Sequence, residues 1–108
     1  MAKAAYWQRG ESLDYKNSGD AVIEANTIID LSTRIGVAGT SINPGEIGSL
    51  HVTGVYEIAK TGAGEIAMGA AVYYDGTGIT GEAGGTPAGY AAAAAEADAA
   101  VILVKLQG

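Results

Sequence analysis

His51 is the only histidine of this 108-residue chain, and the chain contains no cysteine. A histidine that binds a metal ion or acts as a general base requires further ligands or an orienting partner. Glu46, Ser49 and Glu57 are close to His51 in sequence, but their order and spacing do not match a catalytic triad. We therefore interpret His51 as a structural residue, either at the surface or between subunits.

Acidic residues in the first third of the chain are a second candidate for chemistry, as carboxylates that bind a cation or act in pairs. These residues are Asp14, Asp20, Glu24 and Asp30. Their spacing matches neither the calcium loop of an EF-hand nor the carboxylate pair of a glycoside hydrolase. The pattern is typical of a solvated surface, and it predicts no metal site.

Two glycine-rich segments, residues 36–40 and 62–64, suggest a phosphate-binding loop. A P-loop requires a lysine directly after its last glycine, and no glycine of this chain is followed by lysine. A dinucleotide fingerprint requires a strand followed by a helix, whereas the surrounding pattern is that of strands. The glycines predict turns, and the sequence predicts no cofactor and no enzymatic activity.

The N-terminal segment, residues 1–10, contains the only tryptophan, Trp7, directly after Tyr6. Tryptophan and tyrosine are the residues that most often anchor protein interfaces. One alternative is that both side chains fold back onto the chain's own core. The favoured hypothesis is an extended arm in which Tyr6, Trp7, Gln8 and Arg9 bind a groove on another subunit or partner, or add a strand to its sheet.

Composition limits the classes of partner. The formal net charge is −6 with a pI near 4.5, and the six basic residues are scattered, which argues against direct binding of nucleic acid. No apolar run reaches the roughly 18 residues of a membrane span, and Met1 is not followed by a signal-peptide core. The many alanines and 17 glycines bury little surface, so we expect a homo-oligomer.

Turn signals recur along the chain at the spacing of an all-β domain. We expect a single, mainly antiparallel β domain over residues 11–108, either a small barrel or a sandwich. Residues 50–58 alternate, with Leu50, Val52, Tyr56 and Ile58 on one face. Neighbouring strands are predicted for residues 27–31 and 34–38, and a hairpin is predicted around the turn formed by residues 75–77.

The C-terminal segments give one clear prediction and one open choice. Residues 101–106 are apolar on both faces, which predicts a central strand covered on both sides. Residues 91–100 are alanine-rich, and their propensity favours a helix. The alternative, which context favours, is a strand that turns at residues 96–98 and pairs with residues 101–106. A short helical turn near residues 66–68 is a further alternative.

A series of short motifs runs along nearly the whole chain, and their order and spacing are more specific than any one of them. The motifs are Tyr6-x-Gln8-x-Gly10-x-x-Leu13-Asp14-Tyr15, Gly19-Asp20-Ala21-Val22, Arg34-Ile35-Gly36-Val37-Ala38, Ile42-x-Pro44-Gly45, Gly48-x-Leu50-x-Val52-x-Gly54-Val55-Tyr56, Gly69-Ala70-x-Val72-Tyr73, Pro87-Ala88-Gly89-Tyr90-Ala91 and Val101-x-Leu103-Val104-Lys105-Leu106. This order resembles a family of small phage and prophage proteins associated with head morphogenesis, sometimes labelled as predicted phage recombinases.

The resemblance implies a capsid decoration, or cement, protein. It implies a homotrimer made in the bacterial cytoplasm that binds the major capsid protein on the outer surface of the virion. The alternative is a head–tail connector or tail component that forms a ring. The recombinase label does not fit a chain without a P-loop lysine. The resemblance provides no catalytic residues, and on this hypothesis Tyr6, Trp7, Gln8 and Arg9 contact the capsid.

Overall fold

The computed structural model describes residues 1–106 and contains nine strands in two antiparallel sheets. Along the chain the strands are β1 (Ser12–Lys16), β2 (Ile28–Asp30), β3 (Ile35–Ala38), β4 (Ile47–His51), β5 (Gly54–Ala59), β6 (Ala71–Tyr74), β7 (Ile79–Thr80), β8 (Thr86–Ala91) and β9 (Val101–Leu106). One sheet has the order β1-β4-β3-β2 and the other β5-β9-β8-β6-β7. The all-β prediction is confirmed. The two sheets are not closed into a barrel.

The core cluster consists mainly of small and β-branched side chains, and most of them come from the five-stranded sheet. Val104 and Leu106 of β9 and Ile79 of β7 are completely buried, and Ile35 and Val37 contribute from the four-stranded sheet. Alanines at positions 88, 91 and 95 are also buried in this cluster. Successive side chains of a strand point to opposite faces, so every second residue of these strands points into the core.

Residues 50–58 do not form one strand as predicted. β4 ends at His51 and β5 begins at Gly54, and the two strands belong to different sheets. Gly54 has a φ of +113°, a conformation that residues with a side chain rarely adopt, which lets the chain cross between the layers here. The predicted alternation still holds for burial, because Leu50, Val52 and Ile58 are all buried.

Both predicted local pairings are present. β2 pairs with β3 in the register Ile28↔Val37, and β6 pairs with β7 in the register Tyr74↔Ile79. A parallel bridge between Lys60 and Ile79 also connects the end of β5 to β7, and Thr61 donates its N–H to the Ile79 carbonyl at 2.7 Å. Gly78 lies at this junction, and a Cβ added there would be 2.6 Å from the Ala59 carbonyl oxygen.

The helix alternative for residues 91–100 is wrong, and the favoured strand is correct only at its start, because β8 already ends at Ala91. β8 pairs with β9 in the register Ala91↔Val104, and the connection turns where Ala99 donates its N–H to the Glu96 carbonyl. Ala95 exchanges two backbone hydrogen bonds with Ile66, at 2.8 and 2.9 Å. The backbone groups of Ala95 and Ile66 that a helix would use are therefore bonded to each other, and this long-range pairing overrides the helix propensity of alanine. Residues 67–70 form a hydrogen-bonded turn instead of the suggested helical turn near residues 66–68.

The prediction for β9 is confirmed in part. The strand lies between β5 and β8, so its position within the sheet is interior. The expectation that both faces are covered is wrong, because Val101 and Leu103 are 46% and 41% exposed while Ile102 and Val104 are buried. Only the face that carries Ile102, Val104 and Leu106 is covered within one chain.

Candidate functional site

The N-terminal segment contains no strand, and residues 1–9 are all exposed. Tyr6 and Trp7 are 81% and 89% exposed, so neither aromatic side chain packs into the core. Large aromatic side chains are normally buried at least in part, because each removes 150–250 Å² from water when it is covered. Two adjacent exposed aromatics are therefore a candidate contact with another molecule.

The arm joins the domain at Gly10 and Glu11. Gly10 has a φ of +80°, and the Glu11 carbonyl accepts the N–H of Val52 at 3.1 Å. Arg9 forms an ion pair with Glu11, with Nη2 and Oε1 2.7 Å apart. Both of these side chains are exposed, and such a pair contributes little to stability. Glu11, four residues after Trp7, is thus the position at which the backbone of the arm is hydrogen-bonded to the domain.

His51 is half-buried at the end of β4. Its imidazole ring lies against Gly39, and a Cβ at position 39 would collide with the ring at Nε2. Over residues 1–106, no three His, Cys, Asp or Glu side chains are placed to hold a metal ion. The surroundings of His51 agree with the structural interpretation of this residue.

The four acidic residues considered from the sequence are exposed and do not form a metal-binding group within the described part of the chain. Asp30 has an identifiable structural contact. Its Oδ1 accepts hydrogen bonds from the N–H of Ser32 and the hydroxyl of Thr86, both at 2.8 Å. Ser32 has a φ of +73°, so the carboxylate stabilises a strained turn. Thr86 belongs to the other sheet, and Asp30 therefore links the two layers.

The turn between β6 and β7 depends on the carboxylate of Asp75. Oδ2 accepts the hydroxyl of Thr61 at 2.6 Å, and Oδ1 accepts the N–H of Thr77, its hydroxyl and the N–H of Gly78, each at 2.9 Å. The Thr61 hydroxyl and the turn N–H groups hold the pKa of Asp75 well below its usual range, since all of these donors favour the charged form.

We expect Asp75→Asn to lower the free energy of unfolding at neutral pH and to have a diminishing effect in acid. A carboxyl with a depressed pKa in the folded protein stabilises it above the unfolded pKa of about 4, and this stabilisation is lost as the pH falls further. Urea unfolding at pH 7, 5, 4 and 3 measures the difference. The control is Asp98→Asn, an exposed acid outside this turn. A difference between Asp75→Asn and wild type that stays constant from pH 7 to pH 3 would contradict the assignment.

A second exposed apolar surface was not anticipated from the sequence. It lies on the side of the five-stranded sheet that faces away from the core, and we call it the outer face. Its apolar side chains are Val55, Tyr90, Val101 and Leu103, each between 41% and 54% exposed. The signal for it in the sequence is the second apolar face of residues 101–106, a pattern that burial within one chain would also produce.

An all-β domain with an exposed aromatic arm and a bare apolar sheet face has the features of a structural protein that binds other proteins. No helix of the described residues is long and apolar enough to cross a membrane. A family model described as phage cement protein matches residues 7–106, which is nearly the whole chain. The chain therefore belongs to the phage cement protein family. No curated protein and no solved structure matches it.

Membership in this family confirms the resemblance found in the sequence motifs. Phage cement proteins are structural components of the capsid, not enzymes, and the family implies binding to a phage capsid. The match begins at Trp7, so it includes Trp7, Gln8 and Arg9 of the arm as well as all nine strands.

Proposed function

We propose that this protein decorates the outer surface of a phage head and stabilises it by bridging neighbouring capsomers. The observation that carries the proposal is the family match over residues 7–106. Packaged DNA pushes outward on the shell, so a protein that connects adjacent capsomers opposes their separation. A modest contact that is repeated at every equivalent position on the head adds up to a large total stabilisation.

The arm is the proposed contact with the major capsid protein, through Tyr6, Trp7, Gln8 and Arg9. The side chains of residues 1–10 carry a charge of +2 from Lys3 and Arg9, and with −6 on the whole chain this leaves −8 on residues 11–108. The arm is thus basic and aromatic while the domain is acidic. A basic aromatic segment fits an apolar groove with an acidic rim.

The domain itself is proposed to associate as a homotrimer at local three-fold axes of the head. The charge of the domain disfavours contact with packaged DNA, so we expect no binding of nucleic acid at physiological salt. The mass of the assembly distinguishes this proposal from a head–tail connector, because a ring with six or twelve copies favours the connector.

Trp7→Ala is expected to weaken binding to purified empty heads by at least about tenfold, since a buried aromatic anchor typically contributes 2 kcal/mol or more. Binding is measured by co-sedimentation with the heads, and folding is checked by thermal unfolding. The matched control is Met68→Ala, which removes a large apolar side chain that is 71% exposed in a loop of the domain. A Trp7→Ala variant that binds like wild type would rule out the arm as the contact.

A further inference from the structure

The outer face is contiguous across four strands. Val55 and Tyr90 are both directly opposite Lys105 in the register, and Ala71 is opposite Tyr90. In the next rows, Leu103 is opposite Glu57, and Val101 is opposite Ala59. Residues directly opposite each other have Cβ atoms about 4.5–5.5 Å apart, so these side chains form one surface.

The charge of this surface differs from that of the rest of the domain. The outer face carries one acid, Glu57, and one base, Lys105, so it is neutral, whereas residues 11–108 as a whole carry −8. Glu57 is opposite Leu103, two residues from Lys105, and thus diagonal to it. Two acidic domains repel each other over most of their surface. This neutral, apolar face permits close contact and carries one acidic and one basic side chain.

We propose that the outer face is the surface through which copies of this chain associate, with Leu103, Val101, Val55 and Tyr90 at its centre. Glu57 of one copy then faces Lys105 of the next. This surface would mediate the self-association that is part of the proposed function. Only the location of the assembly on a phage head rests on that proposed function. It explains why β9 is apolar on both faces: one face is covered by its own chain and the other by a second copy.

The test is the concentration dependence of mass for the full chain, measured by sedimentation equilibrium. Wild type is expected to form trimers, and Leu103→Asp is expected to weaken association at least tenfold. The matched control is Ile47→Asp on β4 of the other sheet, where Ile47 is 66% exposed and association is expected to stay unchanged. Circular dichroism verifies that each variant is folded.

Charge reversal provides an independent test that does not depend on a buried side chain. Glu57→Lys and Lys105→Glu are each expected to weaken association severalfold, and the double variant is expected to restore it. Lys105 also donates hydrogen bonds to Thr53 and to the Leu106 carbonyl, and it lies diagonal to Glu57 of its own chain. An equimolar mixture of the two single variants restores the pair only between copies, so recovery of association in this mixture separates the intermolecular pair from the local contacts.

Three outcomes would overturn the proposal. The first is a wild-type chain that remains monomeric at all concentrations, and the second is a Leu103→Asp variant that associates like wild type. The third is a Leu103→Asp variant with unchanged mass that no longer binds empty heads, since the outer face would then be a contact with the capsid. Failure of the arm hypothesis is distinct, because Trp7→Ala would then bind heads normally, whatever the state of association.

Discussion

Deletion of residues 2–10 is expected to weaken binding to empty heads by at least about 100-fold while leaving the domain folded. Two aromatic anchors that each contribute about 2 kcal/mol together account for a loss of this size. Residues 1–9 are exposed and outside every strand, so the free energy of unfolding is expected to change by less than about 0.5 kcal/mol.

The control for this deletion is a shorter one. Removal of residues 2–4 eliminates the charge of Lys3 but retains Tyr6, Trp7, Gln8 and Arg9, so binding is expected to fall only a fewfold. Isothermal titration against heads, with both variants at one salt concentration, measures the two losses. Equal losses in the two variants would assign the contact to Lys3, not to the aromatic residues, and full binding after the longer deletion would place the contact in the domain.

Ile79→Ala is expected to lower the free energy of unfolding by about 2–5 kcal/mol, which is a large fraction of the stability of a small domain. Ile79 is completely buried, and its strand joins β6 on one side and the end of β5 on the other. The substitution therefore opens a cavity where the two edge strands of the five-stranded sheet, β5 and β7, approach each other. Urea unfolding at a fixed protein concentration is the measurement, because association also contributes to apparent stability.

Ile47→Ala is the matched control for this cavity, because it is the same change at a strand residue that is 66% exposed. We expect it to cost less than about 1 kcal/mol. Similar losses in the two variants would show that the side chain of Ile79 contributes strand propensity instead of core packing.

Much of the fold was predictable from local patterns. Alternation along residues 50–58 identified Leu50, Val52 and Ile58 as buried, and the Asp75 turn and the β2–β3 pairing followed from residues adjacent in sequence. The crossing between sheets at Gly54 was not predictable, since alternation continues through it unchanged. The conformation of residues 91–100 was left open because it depends on the pairing of Ala95 with Ile66, 29 positions away.

Of the two candidate surfaces, the arm was predictable from the sequence and the outer face was not. The arm stood out because Tyr6 and Trp7 precede the first strand pattern. Both side chains are exposed in the structure, and their contact with a partner stays a prediction. The outer face was missed because a strand that is apolar on both faces is consistent either with burial in one chain or with contact between chains. Only the position of β9 in a two-layer fold distinguishes these alternatives.

The attachment of the arm to β1 has a mechanical consequence for a shell under internal pressure. Any force on the arm passes through Glu11 into β1, an edge strand held to β4 by five residue pairs from Ser12↔His51 to Lys16↔Ile47. A pull along the strand axis loads the hydrogen bonds of this ladder together. A pull away from the sheet breaks them one after another, beginning between Glu11 and Val52. The load that one copy withstands therefore depends on the direction in which the arm leaves the domain, independently of how tightly Trp7 binds.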